Sequence, residues 1–135
     1  MVEDGTSFSV GARGHSRQKG MEINNWMRDL LARIDEKWGV AILAMLSEGR
    51  LRYSELSRCL PGVSQRMLTL NLRKLERDGL IERTVTSDSP PQVVYALTEV
   101  GLSLHRRLLM LVDWAVEHED YIRRSRTRFD SGSGV

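Results

Sequence analysis

Apolar residues recur at helical spacing through most of the chain. Ile23, Met27, Leu30 and Ile34 fall at i, i+4, i+7 and i+11, one face of a helix over 21–34, with Trp26 beside the stripe. Trp38, Ile42 and Met45 share one side of a second helix near 37–46. Gly49 follows, a residue suited to the left-handed position past a helix end. Leu56 and Leu60 mark a third, shorter helix, with Ser54 as its capping serine. Pro61-Gly62 then forces a turn. Ser64 is the next cap candidate. The helix from Gln65 to Asp78 buries Leu68, Leu72 and Leu75 and is stopped by Gly79.

The pattern changes at Leu80. Leu80 to Thr86 is rich in β-branched residues and reads as a strand, as does Val93 to Leu97. Between them Ser87, Asp88, Ser89, Pro90 and Pro91 form a turn that no central strand could contain. Thr98 caps a long last helix to about Arg123, roughly 38 Å at 1.5 Å per residue. Leu104, Leu108, Leu111 and Ala115 give that helix one apolar row, and Leu109, Val112 and Val116 a second. One row covers a small domain's core, which leaves the other for a partner.

A short helix, a tight turn and a second helix make a helix-turn-helix, and a hairpin directly after it makes a wing. The fold class is mainly α with a small β-hairpin wing, a winged helix-turn-helix with terminal helices left over for dimerisation. Residues 1–20 are rich in Gly, Ser and charge and read as a loose tail. The stretch 125–135 reads as another, which leaves 21–124 as the folded unit.

Composition sharpens this picture at three points. The aromatic fraction is only 6%, so aliphatic residues must fill the core. The net charge is +2, so any nucleic-acid binding rests on charge gathered on one face. The single cysteine, Cys59, cannot close an internal disulfide, and no apolar run reaches membrane-spanning length. A cytoplasmic protein with no membrane partner is therefore expected.

Several stretches, in order, resemble the HxlR-type transcription regulators of the broader MarR-like winged-helix group. They are Lys37-Trp38, the run Arg52-Tyr53-Ser54-Glu55-Leu56, and the run from Leu60 through Pro61-Gly62 to Thr69. The run Leu72 to Arg83, Pro90-Pro91, Val94 to Gly101 and Asp113-Trp114 follow. The resemblance implies a dimer, a groove-reading helix at 64–78, a wing at 84–94 and terminal helices at the dimer interface. Members of that family often carry a cysteine just before the Lys-Trp pair, whereas 26–36 here contains none. They also often carry a basic residue after Pro-Pro, where this chain has Gln92, with Asp88 adding negative charge nearby.

With Leu68 at the centre of the buried face, Arg66, Thr69, Leu70, Arg73 and Arg77 project from the opposite side, and Gln65 lies at the border. Arginine can donate two bonds to guanine and glutamine can pair with adenine. Threonine and leucine can touch a thymine methyl. Base reading falls to Gln65, Arg66 and Thr69, with Leu70 a further candidate and Arg73 reading or anchoring. Arg77, flanked by Glu76 and Asp78, reads as a solvated surface residue. Ser54 and Ser64 are phosphate donors at helix starts, and Arg52 lies where it could follow the DNA backbone. Lys74 is either a phosphate contact or simply solvated. Arg83 is placed near phosphate by its position in the family.

The dimer interface is assigned to Ile23, Trp26, Met27, Leu30, Leu108, Val112 and Trp114. Cys59 reads as a small core residue beside the turn. His105 and His118 are too far apart in phase for a metal site, and no cofactor is expected. Nothing resembles a catalytic constellation, so an enzyme is not expected. The partners expected are double-stranded DNA and a second copy of the chain. A pocket between the terminal helices stays open as the seat of an unidentified small-molecule effector. The alternative function is a winged-helix protein-interaction module with weak or no DNA binding.

Overall fold

The computed structural model describes residues 24–133. The tail 1–20 and Ile23 lie outside the described residues. The chain divides after Asp35 into two units.

Among the described residues of the first unit, helix α1 spans Asn25–Asp35. Trp26 and Leu31 on it are exposed, Met27 and Leu30 are half-buried, and Arg33 is buried.

The second unit runs α2 (Lys37–Leu46), β1 (Leu51–Arg52), α3 (Tyr53–Cys59), α4 (Gln65–Arg77), β2 (Ile81–Val85), β3 (Val93–Leu97), α5 (Glu99–Glu117) and α6 (Glu119–Ser133). Its core is aliphatic, as the scarcity of aromatics requires. Ile42, Leu43, Leu56, Leu68, Leu72, Leu75 and Ile81 are fully enclosed, with Leu46, Leu60 and Leu80 beside them. Leu68, Leu72 and Leu75 are the stripe expected on α4, whereas α2 buries Ile42 with Leu43 and Leu46 and leaves Trp38 and Met45 half-buried.

Helix α4 is bounded by chemistry. Ser64 caps its start, its hydroxyl accepting from the Met67 amide at 3.0 Å. At its end Leu80 N donates to Leu75 O and Gly79 N to Glu76 O, both at 3.0 Å, with Gly79 at φ +76°. Such a paired closure satisfies carbonyls that the helix itself leaves open. Thr98 then fixes α5 to this corner. Its hydroxyl donates to Gly79 O at 2.6 Å and accepts from Gly101 N at 3.0 Å.

Five features depart from the sequence expectations. The wing hairpin gains a third strand: β1 pairs antiparallel with β3, giving the order β1-β3-β2. Two residues are too short a run for alternation to reveal. Next, Ser54 does not cap α3. Tyr53 already opens the helix, and Glu55 Oε1 accepts from the Arg52 amide at 2.8 Å, so Arg52 holds the capping position. Further on, the last helix is two helices broken at His118, whose ring stacks on Trp114 with centroids 4.6 Å apart. From Ser125, where the composition reads as a tail, α6 continues to Ser133, with an Arg123–Glu119 ion pair of 2.7 Å in its first turns. Cys59, finally, is exposed rather than packed in the core.

Candidate nucleic-acid interface

The turn at Pro61-Gly62 and the Ser64 cap set the N-terminal end of α4 at the surface. Gln65, Arg66, Thr69, Leu70 and Arg73 are all exposed on it, and Leu70 keeps 42% of its surface. Leu68, Leu72 and Leu75 hold the opposite face in the core. The five base-reading candidates therefore share the open side of one helix. Asn71, which sequence reasoning passed over, is buried within the helix, its amide donating to Met67 O at 2.9 Å.

Tyr53, the first residue of α3, crosses to α4. Its hydroxyl donates to Gln65 O at 3.3 Å and meets Thr69 Oγ1 at 3.0 Å. Sequence reasoning did not single it out, because nothing in the spacing shows that the start of one helix faces the first turns of the next.

A cleft of about 460 Å³ runs between α4 and the sheet, lined by Tyr53, Thr69, Arg73, Glu76, Arg83, Val93 and Tyr95. Arg83 on β2 stands directly opposite Tyr95 on β3. Burial pushes the Tyr95 phenol above its ordinary range, and Arg83 pulls in the opposite direction without cancelling the effect. Arg73 and Arg83 thus bring two guanidiniums to one groove, one from each side.

The phosphate candidates separate. Ser64 Oγ accepts from the Met67 amide, a contact that does not use its hydroxyl proton. Ser54 is exposed within the first turn of α3. Arg52 lines a second cleft of about 340 Å³ with Arg50, but Glu55 and Asp88 line it too, so that patch is nearly charge-balanced. Lys74 is half-buried and pairs with Glu36 at 2.9 Å.

In the wing, Thr86 and Gln92 close the loop. Thr86 N donates to Gln92 O at 2.8 Å, and Gln92 N donates to Thr86 Oγ1 at 2.9 Å. Ser87, Asp88, Ser89, Pro90 and Pro91 stand exposed beyond this closure, and Gln92 is half-buried.

The interface candidates on α5 do not behave alike. Leu108 is 8% exposed and packs into the core of its own chain, unlike the other candidates on this helix. Val112 and Trp114 are 55% and 51% exposed, and Leu109, Met110, Leu111 and Val116 are open as well. The reason is geometric: after Leu108 the helix runs past the edge of the core, so both apolar rows emerge together.

Among the described residues no cluster could hold a metal ion, and no helix is long and apolar enough to cross a membrane.

The model of the HxlR-like helix-turn-helix family matches residues 33–123. Among curated proteins, the chain is 44% identical over 89 residues to the HTH-type transcriptional regulator YdeP of Bacillus subtilis, covering 66% of this chain and 70% of that one. Among solved structures it is similar to a transcriptional regulator of the MarR family from Enterococcus faecalis V583. There the TM-score is 0.64 at 37% identity, over 70% of this chain and 86% of the other. The redox regulator HypR in its reduced form also matches, with a TM-score of 0.63 at 35% identity, over 74% of this chain and 99% of that one. The capped helix, the wing and these matches together place the chain in the HxlR-like helix-turn-helix family of transcription regulators.

Proposed function

We propose that this protein regulates transcription as a homodimer that binds an inverted-repeat DNA site, with α4 in the major groove. The observation that carries this reading is the open face of α4, where Gln65, Arg66, Thr69, Leu70 and Arg73 stand exposed just past a capped helix start. Helices of this kind touch base edges through their N-terminal residues. Arg66 matches guanine, Gln65 matches adenine, and Leu70 matches a thymine methyl. Arg83, Ser54 and Ser64 lie around this face as phosphate contacts, which fix register without reading sequence. Arg52 is a weaker member of that set, because Glu55 and Asp88 share its cleft. Lys74 is left out of it because Glu36 already takes its charge.

The dimer rests on the far half of α5 and on α6. Val112, Ala115, Val116 and Ile122 supply the apolar part of a groove of about 400 Å³ that Glu119, Arg123 and Arg126 also line. A run of exposed apolar residues this long favours a second copy as its cover. In the first unit, Trp26 on α1 is exposed and is a separate candidate for contact with a second copy. A two-fold axis would set two copies of α4 about 34 Å apart, one turn of DNA.

The alternative of a protein-interaction module draws on the exposed Leu70 and on Asp88 in the wing. The test is selection of bound duplexes from a randomised pool, followed by salt titration of the winners. An inverted repeat whose affinity falls steeply with salt supports the regulator. No enrichment together with flat salt dependence supports the interaction module.

A further inference from the structure

Thr69 is the one base-reading candidate whose polar group is already engaged from behind, and its partner is Tyr53. The phenolic oxygen lies 3.3 Å from Gln65 O and 3.0 Å from Thr69 Oγ1. A carbonyl can only accept, so when both contacts are made together the single phenolic proton goes to Gln65 O. Thr69 must then supply the proton for its own contact with Tyr53. That assignment turns the Thr69 hydroxyl proton inward and leaves outside only oxygen lone pairs and the methyl group.

We infer that Tyr53 is a positioning residue for sequence selection: it holds Thr69 as a hydrogen-bond acceptor toward DNA. This rests on the reading of α4 as the groove-reading helix. An acceptor suits the amino groups of adenine and cytosine, and the methyl suits thymine. Neither serves guanine, whose major-groove edge presents only acceptors. The base opposite Thr69 should therefore be chosen against guanine. Without the phenolic oxygen the Thr69 hydroxyl is free to turn, can donate outward, and loses that bias. Tyr53 touches no base itself. The same contact also ties α3 to the first turns of α4 across the Pro61-Gly62 turn, so the ring must stay while the oxygen is removed.

The experiment selects duplexes from a randomised pool with the full chain, in parent, Tyr53→Phe, Thr69→Val and doubly substituted forms, with helicity and melting checked for each. The expected result is that Tyr53→Phe relaxes preference at one position per half-site by about two- to tenfold, the worth of one ordinary hydrogen bond. Thr69→Val should alter that same position, and the double variant should add nothing further there. Binding to unselected duplex should be unchanged in Tyr53→Phe. A uniform loss across all sequences, a change at a position Thr69 does not control, or no change would overturn the inference while leaving the groove-reading helix standing. If the parent enriches no sequence, both the groove-reading helix and the role of Tyr53 are overturned.

Discussion

Lys74 Nζ lies 2.9 Å from Glu36 Oε2, joining the last turn of α4 to the residue that precedes α2. Both side chains are about one-third exposed, so the pair is sheltered from solvent without being buried. A lysine held in this way ties α4 to the body of the domain. Lys74→Ala should therefore leave the slope of log affinity against log salt unchanged, whereas loss of a phosphate contact reduces it by about 0.9. The variant should lose about 0.2–1 kcal/mol of folding stability, the range of partly exposed ion pairs. A shallower salt slope would return Lys74 to the phosphate contacts.

The split behaviour of α5 separates two substitutions that look alike in sequence. Leu108 is enclosed and Val112, one turn on, is open. Leu108→Ala should cost about 2–4 kcal/mol and lower the melting temperature of the protomer. Val112→Glu should leave the helix content unchanged and convert a dimer into a monomer in sedimentation at micromolar concentration. A parent protein that sediments as a monomer, or a Val112→Glu variant that stays dimeric, would move the interface elsewhere.

Gly101 offers a test of the corner that sets the wing. It is buried within the first turn of α5, and a Cβ there would overlap the Leu80 carbonyl oxygen and crowd Leu97. Its backbone is not in the left-handed region, so close approach, and not conformational freedom, requires glycine. Gly101→Ala should destabilise by about 1–3 kcal/mol, the usual cost of overfilling a packed site. Thermal unfolding reads it directly, and an unchanged melting temperature would show that the corner can yield.

The elements legible in the sequence are those whose signals are local. The cap at Ser64, the stop at Gly79, the Thr98 cap and the stripe of Leu68, Leu72 and Leu75 are each written within a few residues, and the structure holds all of them. What escaped depends on residues distant in the chain. Strand β1 exists because Leu51 and Arg52 meet Tyr95 and Val94. The placement of Leu108 depends on where the core ends, which periodicity alone cannot locate. Ser54 reads as a cap because serine favours that position, yet Glu55 reaches back to the Arg52 amide and the helix starts upstream at Tyr53. Within the candidate site, the face of α4 followed from spacing at 100° per residue. The Tyr53 contact and the Lys74–Glu36 pair, by contrast, needed three dimensions.

The most direct measurement compares Arg66→Ala with the parent on two duplexes, the one the parent prefers and a scrambled one, at a single salt concentration. Arg66 is exposed in the first turn of α4, where a guanidinium can reach guanine. If α4 reads bases, Arg66→Ala loses about 1–3 kcal/mol on the preferred duplex, changes little on the scrambled one, and relaxes one position per half-site. Equal loss on both duplexes, or none on either, would contradict the claim that this helix reads sequence.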